Sequence, residues 1–128
     1  MRVLLDTHAL VWWLAGNPSL PASARAVIAD GGITVFVSAA TAWEIATKHR
    51  IGKLPAVESV VADVEGYIAA QGFVPLPVTM RHGQAAGALP GPHRDPFDRM
   101  LIAQAIIEDM ALVSNERLFD AYGVRRLW

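Results

Sequence analysis

Short apolar or β-branched runs alternate along this chain with stretches whose apolar residues recur at helical spacing. That alternation restricts the fold more than any other feature. Arg2–Leu5, Thr34–Val37, Phe73–Leu76, Ala111–Val113 and Val124–Leu127 read as strands, the third bounded by prolines. Between them Thr7–Ala15 reads as a helix ended by Gly16-Asn17-Pro18, and Pro21–Ala29 as a second closed by Gly31-Gly32. Ser38 caps a third that runs to about His49 and stops at Gly52. Val57–Gln71 carries Val57, Val60, Val61, Val64, Tyr67 and Ile68 at helical spacing. Thr79–Gly87, Pro96–Glu108 and Glu116–Ala121 complete the helices. Strands alternating with helices predict an α/β fold, a parallel sheet wrapped on both faces. With 128 residues and no repeat or linker, the chain reads as a single domain over 1–128.

Composition narrows the setting. Hydrophobic residues make up 53% of the chain, and the mean hydropathy is +0.33. No apolar run approaches the ~20 residues of a membrane helix. Arg2 is a thin positive region for a signal peptide, and Asp6 and His8 interrupt the apolar stretch after it. No cysteine is present, which excludes disulfides and thiolate metal sites. A cytoplasmic protein without a membrane role is expected, its surplus apolar surface meeting another protein chain.

Acidic residues recur at the junctions of these elements. Asp6 separates the first strand from the first helix, where an unpaired buried charge is costly. Glu44 lies in TAWEIA, Asp95 and Asp98 in HRDPFDRMLIAQA, and Glu116 in LVSNERLF. Each of the later acids has a structural reading. Thr41 and Glu44 fit a capping box. Asp95 fits an N-cap, followed by Pro96 at the first helical position and Asp98 at the third. Ser114 can cap the last helix, with Glu116 favoured by its dipole. Asp6 differs, because Thr7 beside it could cap the first helix equally well.

Their conjunction points further. In open parallel sheets ligands bind outside the carboxyl ends of the strands, and that edge is where these acids gather. Clustered carboxylates repel and raise one another's pKa unless a cation sits among them. Oxygen donors without cysteine or a histidine pair favour a hard ion, Mg²⁺ or Mn²⁺. His8, His49, His82 and His93 are scattered and read as structural or solvent-facing.

MRVLLDTHALVWWL, TAWEIATKHRIGKL, HRDPFDRMLIAQA and LVSNERLF–YGV together resemble a PIN-domain ribonuclease, specifically a VapC-type toxin of a toxin–antitoxin pair. The resemblance covers essentially the whole chain, and DPFDRMLIAQA is its most specific piece. It implies a three-layer α/β/α sandwich around a mostly parallel sheet of about five strands. It also implies Mg²⁺- or Mn²⁺-dependent endoribonuclease activity, with tRNA or another structured RNA as substrate class, and neutralisation by a cognate VapB-like antitoxin. Homodimers and toxin–antitoxin hetero-oligomers are implied too. The family's first three acids fall on Asp6, Glu44 and Asp98, with Asp95 close to the metal or holding its loop. The fourth is usually an Asp two residues after Thr or Ser, whereas Ser114-Asn115-Glu116 offers Glu. The extra methylene displaces that carboxylate by ~1.5 Å. Thr7 and Ser114 are supporting residues, Ser114 orienting Asp6 or a water.

The net charge of −1 argues against a nucleic-acid partner only until the five site acids are set aside, which leaves 7 acidic against 11 basic side chains. Lys48, Arg50, Arg94 and Arg99 are candidates for RNA phosphate contacts. Val11, Trp12 and Trp13 lie on a helix apolar all round, which suggests a groove for the antitoxin as well as core packing. Two rivals remain open. One is a phosphatase with Asp6 as nucleophile, although His8 stands where a second acid is customary. The other is a PIN-like module that binds RNA or antitoxin but has lost productive metal geometry at Glu116.

Overall fold

A computed structural model describes residues 1–54 and 58–128. Strands β1 (Arg2–Leu5), β2 (Thr34–Ser38), β3 (Val74–Leu76), β4 (Ala111–Val113) and β5 (Arg126–Leu127) form one sheet in the order β3-β2-β1-β4-β5. All four pairings are parallel, with Leu4 opposite Phe36 on one side and Leu112 on the other. The helices among the described residues are α1 (Thr7–Ala15), α2 (Ala22–Ala29), α3 (Ala39–Arg50), α4 (Glu58–Ala62), α5 (Val64–Ala70), α6 (Met80–Ala88) and α7 (Pro96–Ile107). A 3-10 turn spans Arg117–Tyr122.

The central strand explains the layering. Val3, Leu4 and Leu5 are all fully buried, as a strand covered on both faces requires. Because successive side chains alternate, Val3 and Leu5 join one cluster with Leu10, Ala24, Ile28, Val35 and Ile68. Leu4 joins the other, with Leu76, Leu101, Ile102, Leu112 and Phe119. Two apolar clusters on opposite faces of one parallel sheet make the expected three-layer sandwich. Pro75 is accommodated because β3 is an edge strand, where a missing N–H leaves no ladder bond unmade.

The sheet order also fixes where a ligand can sit. The chain runs outward from β1 through β2 to β3, then resumes on the other side of β1 with β4 and β5. The reversal between β1 and β4 leaves a crevice beyond their carboxyl ends. Asp6 follows β1 there, its N–H donating to Val113 O at 3.0 Å, and Ser114 follows β4.

Three local expectations need correction, and one open choice is decided. The helix expected over Val57–Gln71 is two helices: Asp63 leaves helical geometry and caps α5, its carboxylate accepting from the Gly66 N–H at 2.9 Å. A side chain at Gly66 would meet that carboxylate, and Val57 lies outside the described residues. Of the two candidates for the cap of α1, Asp6 takes it: its Oδ1 accepts from the Ala9 N–H at 2.8 Å. Glu44 is no capping-box residue, because α3 is capped by Ser38 and Glu44 lies well inside the helix. The last turn is capped by Glu116 Oε1, which accepts from the Leu118 N–H, while Ser114 Oγ accepts from the Glu116 N–H. Asp95 caps α7 as expected, accepting from Phe97 and Asp98.

Candidate active site at the carboxyl edge of the sheet

One cavity of about 380 Å³ opens at this edge, and Asp6, Glu44, Asp95, Asp98 and Glu116 all line it. The fold therefore brings together every acid singled out in the sequence. Thr7, Lys48 and Asn115 share the wall, with His8 and Trp12 at one side.

Asp6 and Glu44 form its floor, 5% and 3% exposed. Burial pushes the Asp6 carboxyl above its ordinary range. Hydrogen bonding from the Ser114 side chain and the Ala9 N–H, and the nearby His8, act against this, while Glu44 adds to the rise. Glu44 reaches the same place from the second turn of α3, with one oxygen accepting from Thr7 Oγ1 at 2.5 Å and the other 2.5 Å from Lys48 Nζ. Thr7, adjacent to Asp6, thereby ties α1 to α3.

Asp98 begins α7 from the opposite layer. Its pKa is pushed up to about 6, chiefly by burial and also by the charges of Asp95 and Glu44, against the hydrogen bond and charge of His93. His93 Nε2 lies 2.8 Å from Asp98 Oδ2. An ionised carboxylate can only accept, so Nε2 is the donor. Tyr122 and Arg99 hold the loop that presents this imidazole: the His93 N–H donates to Tyr122 Oη, and Arg99 donates to the His93 carbonyl.

The chemistry of this donor set fits a divalent cation. Oxygen ligands converge from four places in the chain, and two of them have pKa values raised by burial and by neighbouring acids, as carboxylates sharing a site do. As the side chains stand, no three His, Asp or Glu groups among the described residues enclose a single point. The acids are instead engaged by Thr7, Lys48 and His93.

The basic residues divide. Arg99 is engaged within the fold: its guanidinium donates to the carbonyls of Ala86, Leu89 and His93, pinning the loop before α7. Arg50 and Arg94 are exposed. Lys48 is engaged with Glu44 and lies 3.7 Å from Asp95. Its charge is opposed by burial but favoured by Glu44, Asp95 and Asp98, and its pKa lies above the ordinary value. Val11, Trp12 and Trp13 are half-buried and pack on the core. Trp13 packs beside Phe73 and donates to Gln71, and Trp12 lies between His8 and Trp128. The more exposed indole is Trp43, edge-on to Phe97.

His93 is the site residue that sequence reasoning passed over. Its signal was its place five residues before Asp98 in the same motif, but a lone histidine in a loop gives no indication of which way its ring turns.

Comparison with known proteins agrees with this architecture. A family model described as PIN domain matches residues 3–124. Ribonuclease VapC16 of Mycobacterium tuberculosis is 39% identical over 70 residues, which is 52% of this chain and 50% of that protein. The aligned stretch thus spans only half of that relative's length. Among solved structures, VapBC2 from Rickettsia felis, bound to a promoter DNA fragment, has a similar chain with a TM-score of 0.70 and 16% identity, covering 98% of this chain and 97% of that one. Mycobacterium tuberculosis VapC20, described as a sarcin-ricin loop cleaving toxin, superposes with a TM-score of 0.64 at 16% identity, covering 95% of both chains. At such identities the likeness is one of fold.

Proposed function

The chain belongs to the PIN-domain family, and from that premise we propose that it is a metal-dependent endoribonuclease, the toxin of a VapBC-type toxin–antitoxin pair. The convergence of Asp6, Glu44, Asp95, Asp98 and Glu116 on one cavity carries this reading. The ribonuclease named among its relatives supports the activity, and the VapBC complex among its structural neighbours supports a VapB-like partner.

In this reading Asp6, Glu44 and Asp98 hold Mg²⁺ or Mn²⁺, with Asp95 and Glu116 beside them. A bound divalent ion lowers the pKa of water and offsets charge building on the phosphodiester oxygens. The protein's own share is positional. Thr7 orients Glu44, Ser114 and the Ala9 N–H steady Asp6, and His93 turns Asp98 toward the cavity. Arg50 and Arg94 are placed to meet phosphates of the RNA, contacts that position a strand without reading its sequence. Val11, Trp12 and Trp13 are the candidate antitoxin groove, and the free toxin is proposed to be a homodimer in the cytoplasm.

Incubation of the purified protein with total RNA tests the activity. Cleavage is expected with Mg²⁺ or Mn²⁺ and none with a chelator. Cleavage that persists in chelator overturns the metal-dependent reading. His93→Ala is expected to raise the metal concentration for half-maximal cleavage by roughly 10-fold, the scale on which partners of metal ligands act. His93→Gln, which keeps a donor, should recover part of it. Equal metal requirements in wild type and His93→Ala would show that the imidazole does not position Asp98.

A further inference from the structure

Lys48 places a positive charge among the acids. Its Nζ lies 2.5 Å from Glu44 Oε2 and 3.7 Å from Asp95 Oδ2, and 5.8 Å from the centre of the Phe97 ring. The first contact follows from helix geometry, since residues four apart on α3 lie on the same face. The second is tertiary, because Asp95 belongs to the loop that caps α7. Each Glu44 oxygen is already engaged, since Thr7 donates to the other one. The Lys48 side chain remains 27% exposed, so it has a route to solvent on its flexible stem.

We propose that Lys48 is a tethered counter-ion that occupies the metal-free site and competes with a divalent cation for Glu44 and Asp95. This rests on the metal-site reading above. An ion approaching these two carboxylates meets a like charge already seated on both, and the repulsion falls only as the ammonium turns out to solvent. The lysine thereby steadies the acids while the site is empty and weakens metal binding. Lysine suits this role because its charge is a point carried on a mobile stem, whereas arginine's planar fork would hold the carboxylate more rigidly.

Titration calorimetry of the full chain with Mn²⁺, together with thermal melts without metal, tests this. Lys48→Met and Lys48→Gln are expected to bind Mn²⁺ roughly 10-fold more tightly than wild type, because a competing charge has been removed. Their metal-free melting temperatures should fall, and the rise on adding Mn²⁺ should grow. Lys48→Arg, which keeps the charge, should gain no affinity. Neutral variants that fold only once Mn²⁺ is present also support the proposal, since the ion then replaces the missing charge. Neutral variants that bind Mn²⁺ no better than wild type, or that stay unfolded in its presence, overturn it. So does a Lys48→Arg protein as tight as the neutral ones. Absence of Mn²⁺ binding in the wild type and the neutral variants alike overturns the metal-site reading itself, and this inference with it; binding indifferent to residue 48 overturns the counter-ion alone.

Discussion

Asp6→Asn is expected to lower RNA cleavage by roughly 100-fold or more while leaving the fold intact, since even residues that only hydrogen-bond a metal ligand are worth about 10- to 100-fold. The substitution separates the two tasks of this side chain. Asp6 caps α1 through Oδ1 and the Ala9 N–H, and asparagine caps helices about as well as aspartate. It is also neutral, so the cost of a buried charge at 5% exposure disappears. Circular dichroism and melting should therefore show a protein at least as stable as wild type without metal. Asp6→Ala, by contrast, should lose activity and also about 1 kcal/mol of stability with the cap. Full cleavage by the Asn variant would remove Asp6 from the site. A collapse in its stability would show that the charge is structural.

Asp98 couples the site to pH. Its carboxyl titrates near pH 6 in the folded chain against an ordinary value of 3.8. Between those values the folded state binds the proton that the unfolded state has released, so stability falls as pH rises through this window. The full penalty, roughly 3 kcal/mol, is present once the pH is well above 6. Asp6 is shifted in the same direction. Asp98→Asn is accordingly expected to raise the metal-free melting temperature at pH 7.5, by roughly 9–15 °C for a chain of this size. Near pH 4.5 the difference from wild type should shrink, because there the wild-type carboxyl is largely protonated in the fold. The same variant should lose cleavage. Melts of both proteins across this range are the measurement; a variant no more stable than wild type at pH 7.5 would mean that Asp98 is not strained by its surroundings. Such a trade of stability for a charged site is common where carboxylates await a ligand.

The strands and most helices were legible because their signals are local. Alternating and helical spacing, Gly16, Gly52 and the Asp95-Pro96 start each act within a few residues of where they stand. The break at Asp63 was not legible, because α4 and α5 together keep a continuous helical pattern of apolar residues. Only the carboxylate's choice of the Gly66 N–H over solvent interrupts it. The caps of α1 and of the last turn were not decided by sequence for a related reason. Asp6 and Thr7, or Ser114 and Glu116, compete for the same backbone donors, and what else each side chain can reach settles the competition. Thr7 is drawn to Glu44, 37 residues away, which leaves the cap of α1 to Asp6.

The identity of the acids is a property of the chain, and so is their position after strands or at the starts of helices. Their meeting in one cavity depends on the parallel order β2-β1-β4, which sets the turns after β1 and β4 side by side and swings α3 and α7 over the same edge. Long-range packing also gives basic residues partners that the sequence does not show. Arg99, a flanking charge in the sequence, donates to the carbonyls of Ala86, Leu89 and His93, and Lys48, a candidate phosphate contact, meets Asp95 from another layer. Short-range preferences write the elements because a strand or helix is decided among neighbours. Charges act through space, so what each of them does waits on which strangers the fold places beside it.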